Sequence, residues 1–161
     1  MLVIACTQPQ ATASRSLLRV DDQASLISPA TEQRISAELE QLERRTSDQV
    51  AVMTVSSLGG ESIDSVALKT ANRMRLGVKG KDNGVLLLVA PTEKKVRIST
   101  GCGMAGVLPD SEAAAIVAHM VASFRTGSME KGIEQGVRAI DRELSEHPSG
   151  PLRQIRDARC V

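Results

Sequence analysis

GVKGKDNGVLLLVAPTEKKVRISTGCGMAGVLPD, Gly77 to Asp110, decides the fold. Asp82-Asn83-Gly84 is a turn sequence: Asn and Asp bond their own backbone, and Gly tolerates left-handed geometry. Val85 to Ala90 is apolar without interruption, which predicts a strand buried on both faces. Pro91 to Lys95 is a charged turn. Val96 to Thr100 then alternates apolar and polar, as a strand with one exposed face does. The short turn makes the two strands antiparallel. Gly101-Cys102-Gly103-Met104-Ala105-Gly106 turns the chain again, and Asp110 is placed to cap a helix. Two loops rich in glycine and acid therefore flank one hairpin. Glycine lets a backbone approach a ligand closely, and carboxylates hold hard cations, so these loops are the first candidate site.

The flanks extend the pattern. Ser28-Pro29 reads as a helix start, a capping hydroxyl with proline in the first turn. Ile35, Leu39 and Leu42 recur at helical spacing to about Arg45. Gln49 to Val55 is a second doubly buried strand. Ser62 opens a helix with Ile63, Val66, Ala67, Thr70, Ala71 and Met74 on one face, ending near Gly77 as C-cap. Strand, helix, strand predicts a right-handed parallel crossover. After Asp110, Ile116, Val117, Met120, Val121 and Phe124 face inward. Ser128 caps the last helix, with Ile133, Val137, Ile140 and Leu144 inward. Gly132 and Gly136 on that helix predict close packing. The expected fold class is α/β: a three-layer α/β/α sandwich, a mixed sheet with about four helices, Rossmann-like but without a dinucleotide site.

Composition narrows the function. The 161 residues carry a net charge of +1, so no basic footprint favours nucleic acid. Phe124 is the only aromatic residue, which argues against base-stacking or sugar-stacking platforms. Cys6, Cys102 and Cys160 match no zinc spacing and read as reduced spectator thiols, with a Cys102–Cys160 pair as the lesser alternative. No apolar run approaches membrane-spanning length.

Residues 1–17 read as a lipobox-like N-terminus and tether. Val3-Ile4-Ala5-Cys6 resembles the bacterial sequence cut just before a lipidated cysteine, and a small polar stretch follows it. Only Met1 and Leu2 precede it, short of the basic and apolar regions of a full signal. Either the true start lies upstream or the match is accidental. Residues 18–146 form the domain, and residues 147–161 read as a flexible tail.

Two glycine-rich motifs lack the context that their chemistry needs. Gly101 to Gly106 fits the dinucleotide pattern G-x-G-x-x-G, but no helix opens inside it and no strand bearing an acid follows. Lys79 to Gly84 precedes a strand rather than a helix and lacks the ending of a phosphate loop. His119 and His147 stand alone, and nothing in the sequence near Cys102 activates its thiol.

Five segments together resemble the TPM domain family, named for a thylakoid lumen protein, a photosystem II repair factor and a modulator of a nematode receptor. Val20 to Ser28 is similar to the family's V-x-D-x-A-x-L-L-S. Val50 to Gly60 resembles its first strand and loop. Gly80 to Val89 is the most specific match. Gly101 to Asp110 is similar to G-Y-G-L-E-G-x-L-P-D. Phe124-Arg125, Gly132-Ile133 and Gly136-Val137 resemble the last two helices. Cys102 stands where the family usually has Tyr, and Ala105 where it often has Glu.

The resemblance implies the same three-layer sandwich and an exported or membrane-attached protein. It also implies Ca²⁺ binding, known for some relatives, or acid phosphatase activity, ascribed to the thylakoid member. Asp22, Asp82, Asn83 and Asp110 are retained and form the expected metal set at neighbouring ends of the sheet, with Gly84, Gly101, Gly103 and Gly106 supplying loop backbone beside it. Clustered carboxylates repel unless a cation joins them. The competing readings are a plain helix N-cap for Asp110, an Asx-type turn for Asp22 and a tight turn for Asp82–Gly84. The expected function is an accessory protein on the periplasmic face of a bacterial envelope membrane. It would be tethered through a lipidated Cys6 and assist the assembly or repair of a protein complex, with no nucleic acid or dinucleotide partner. The alternatives are a metal-assisted acid phosphatase, with Asp82 and Asp110 holding the cation, and a purely structural interaction domain.

Overall fold

The two continuous apolar runs sit side by side at the centre of one sheet. A computed structural model describes residues 19–147. Its four strands are β1 (Val20–Asp22), β2 (Gln49–Thr54), β3 (Gly84–Ala90) and β4 (Lys95–Thr100), in the order β1-β2-β3-β4. β1, β2 and β3 are parallel, with Val20 opposite Val52 and Val50 opposite Val85. β4 returns antiparallel, Val85 opposite Thr100. Every residue of β3 is buried, as a central strand covered on both faces requires. The three-residue edge strand β1 was not anticipated. Its Val20-Asp21-Asp22 is too short and too acidic to show a strand period.

The helices are α1 (Pro29–Thr46), α2 (Ile63–Met74), α3 (Asp110–Arg125) and α4 (Met129–Glu146), with a short 3₁₀ turn at Cys102–Met104. Ser28, Ser62 and Ser128 cap α1, α2 and α4 with their hydroxyls. Two expected caps differ. Pro109 rather than Asp110 precedes α3, making Asp110 its first residue. Arg75 rather than Gly77 ends α2 in left-handed geometry.

The layers are unequal. Val50, Val52, Val85, Leu87 and Ile98 face α1, α3 and α4. Ala51, Met53, Leu86 and Leu88 face α2 alone. The two parallel crossovers step the same way along the sheet, yet α1 and α2 lie on opposite faces. They therefore have opposite hands, and the right-handed expectation holds for only one of them. Gly132 and Gly136 allow the close packing read from the sequence. A methyl at Gly132 would overlap the Phe124 ring, and one at Gly136 the Met120 side chain.

α1 and α4 run parallel. Glu130 at the start of α4 reaches Ser28 at the start of α1, and Arg45 near the end of α1 pairs with Asp141 at 2.6 Å. Arg19, just before β1, pairs with Glu43 in the last turn of α1. Both ends of the described chain thus leave at one rim of the sheet, where the parallel strands begin. Cys6, the rest of residues 1–17 and most of the expected tail lie outside the described residues. Among the described residues no helix is long and apolar enough to cross a membrane.

Candidate functional site

The rim where β2 and β3 begin is built by three turns locked backbone to backbone. The first is the end of α1, where Ser47 adopts left-handed geometry with φ 64°. The second is Gly77 to Asn83. The third is Gly101 to Gly106. Asp82 is exposed and also left-handed, φ 48°. Its carbonyl accepts a hydrogen bond from Gly103 N–H at 3.1 Å, and Gly101 N–H donates to Gly84 O at 2.8 Å. A methyl at Gly101 would overlap the Asp82 carbonyl, and one at Gly103 the Lys81 carbonyl. These glycines therefore serve the approach of one loop to another. Gly84 is similar: a methyl there would sit 2.7 Å from the Leu76 carbonyl. Gly106 faces open space.

Asn83 is fully buried at the centre of this joint. Its Oδ1 accepts from Val78 N–H at 2.9 Å, while Nδ2 donates to Ser47 O at 2.8 Å and to Asp48 Oδ1 at 3.0 Å. The side chain is turned inward to tie the turns together and is fully shielded from the surface. Asp48 is fully buried beside it. Gln49 completes the lock, accepting from Gly77 N–H at 2.9 Å and donating to Glu43 at 3.0 Å. Sequence reading missed Asp48 and Gln49. Thr46-Ser47-Asp48 looked like a helix breaker, and nothing local shows that Asn83 lands on it.

The four expected metal residues do not converge. Asp82 and Asp110 are both exposed at this rim, because α3 begins here and runs back along β4. Asn83 is occupied. Asp22 ends β1 opposite Thr54, at the far rim, a strand length away, roughly 20 Å. There its Oδ1 accepts from Leu26 N–H at 3.0 Å and from the Thr54 hydroxyl, and its Oδ2 from Ile27 N–H at 2.8 Å. The carboxylate thus reaches four and five residues along the chain and across to β2, a wider lock than the two-residue Asx-type turn. Ca²⁺ takes six to eight oxygens, and among the described residues no three His, Cys, Asp or Glu side chains are grouped to hold a metal. The set read from the sequence does not fit Ca²⁺. Cys102 is disulfide-bonded, which overturns the reduced-thiol reading at that position. Cys6 and Cys160 lie outside the described residues.

The far rim holds a second feature that the sequence did not announce. A cavity of about 460 Å³ opens between the β3–β4 turn and the α3–α4 junction, lined in part by Val96, Val121, Phe124 and Met129, with Lys94, Lys95 and Arg125 around it.

A family model of the TPM domain matches residues 20–143. The solution structure of the N-terminal domain of a P. gingivalis protein is similar at 30% identity and TM-score 0.76, covering 86% of this chain and 91% of that one. The BA42 protein of Bizionia argentinensis is similar at 19% identity and TM-score 0.65, over 77% of this chain and 86% of its own. The N-terminal domain of cg2496 from Corynebacterium glutamicum reaches 18% and 0.59, over 96% and 93%. The last two likenesses concern the fold alone. No curated protein matches the chain.

Proposed function

The chain belongs to the TPM domain family, and from that premise we propose an accessory domain of the bacterial cell envelope that engages a protein partner through the locked rim. The observation that carries this reading is the fixed, exposed Lys81-Asp82 corner. Its left-handed Asp82 is pinned by Gly101 and Gly103 and anchored below by buried Asn83. Binding residues characteristically stand on loops positioned by a rigid scaffold, and an ordered corner binds without the cost of ordering it. The disulfide at Cys102 fits an oxidising compartment, and with it export. Tethering through a lipidated Cys6 belongs to the same proposal. A cation at this rim would rest on Asp82 and Asp110, with water and partner oxygens completing its shell.

Cross-linking in the native envelope, followed by affinity purification, tests the reading. The wild type should retain a specific protein from the membrane fraction. The charge reversals Lys81→Glu and Asp82→Lys should lose it at unchanged thermal stability. Retention of the same partner by both reversed variants refutes the rim as the contact. An unmodified Cys6 in the native protein, read by mass spectrometry, removes the lipid anchor without touching the rim. Calorimetry with Ca²⁺ on the wild type and on Asp82→Ala decides the cation separately.

A further inference from the structure

We propose that the far-rim cavity binds a free single-chain anionic amphiphile, with its apolar body against Phe124 and its neighbours and its carboxylate head among Lys94, Lys95 and Arg125. This goes beyond the partner reading and uses the opposite end of the molecule.

Three observations carry it. First, the cavity is of ligand size: about 460 Å³, within the roughly 300–1,000 Å³ of small-molecule sites. Second, its walls are apolar and already in place. Val96, Phe124 and Met129 pack on the main core yet stay partly uncovered. Phe124, the only aromatic residue of the chain, is seated with its ring over Gly132, so the wall does not need to form on binding.

Third, the charges are one-sided. Lys94, Lys95 and Arg125 are exposed, and none forms an ion pair among the described residues. Of the two acids nearest in sequence, Glu130 is committed elsewhere, and Glu93, whose charge also acts on Lys95, turns one oxygen to the Ser57–Leu58 loop. Glu93 accepts from the Ser57 hydroxyl at 2.7 Å and from Leu58 N–H at 2.8 Å. Glu130 accepts from the Ser28 hydroxyl at 2.6 Å. A neutral lipid would leave three cations unused, and a cationic one would be repelled. An anionic head with an apolar tail matches both halves of the site.

The test uses the full chain and decanoate below its micelle concentration, followed by calorimetry and by two-dimensional NMR. Saturable one-site binding is expected, with shifts at Val121, Phe124 and Met129. Decyltrimethylammonium, which has the same tail and the opposite head, should bind at least about tenfold more weakly. The variant Lys94→Gln/Lys95→Gln/Arg125→Gln should lose about tenfold in affinity for decanoate and keep the wild-type melting temperature. Val121→Trp should lose binding by filling the cavity. Should the Trp variant misfold, the charge variant and the head-group comparison still decide. Equal binding of the two amphiphiles, undiminished affinity in the charge variant, or no saturable shift with monomeric decanoate overturns the proposal. Binding only to anionic vesicles also overturns it, since that marks a charged surface rather than a cavity.

Discussion

Asp22 shows how a residue can look like a ligand and act as a joint. Its carboxylate gathers Leu26 N–H, Ile27 N–H and the Thr54 hydroxyl, fixing the passage from β1 to α1. Asp22→Ala leaves these half-buried donors unsatisfied and should cost about 1–3 kcal/mol in urea denaturation, with Asp22→Asn costing less. The sequence showed the acid but not its partners, because Thr54 arrives from 32 residues away. The glycines divide in the same manner. Gly101→Ala and Gly103→Ala force a methyl into backbone and should each lower stability by about 1–3 kcal/mol. Gly106→Ala, facing open space, should leave the melting temperature nearly unchanged. All three positions look alike in the motif. Only the return of the Lys81–Asp82 backbone separates them.

Elements were the most legible scale. Serine caps, a proline after Ser28 and apolar spacing located α1, β2, α2, β3, β4 and α4 to within a residue or two, since those signals are local. What escaped was relation between elements: the short edge strand, the opposite hands of the crossovers, and the parallel pairing of α1 with α4. That pairing carries a pH dependence. Hydrogen bonds from the Ser28 hydroxyl, then Thr31 and the Ser28 backbone, hold the Glu130 carboxyl at about 2, below the ordinary 4.5. A depressed acid stabilises the fold fully above 4.5 and loses that contribution as pH falls toward 2. Glu130→Gln should therefore denature at lower urea than wild type at pH 6, with the gap closing toward pH 2. Glu38 has the opposite sign. Burial, then the Asp141 charge, raises its carboxyl. Its ionised form opposes folding, so stability falls as pH rises above 4.5. Glu38→Gln should be more stable than wild type at pH 7 and equal to it below pH 4.5.

At the scale of the whole molecule the sandwich is lopsided, with three helices on one face and one on the other. The α2 layer buries fewer apolar side chains, and Leu68 on that helix is largely exposed. Native-state hydrogen exchange should therefore show α2 amides opening at lower free energy than those of α4, whose inward residues Ile133, Val137, Ile140 and Leu144 are fully buried. Equal protection of the two helices would contradict that picture. The α/β architecture was readable because two uninterrupted apolar runs admit little else. The separation of Asp22 from Asp82 was not, because a side chain's place at one strand end or the other depends on strand direction and loop route together. Those same routes bring Arg19 and His147 out at the same rim of the sheet. A circularly permuted gene, joining residue 147 to residue 19 by a short linker and opening the chain at the exposed Gly59-Gly60 bend, should therefore still encode a foldable domain.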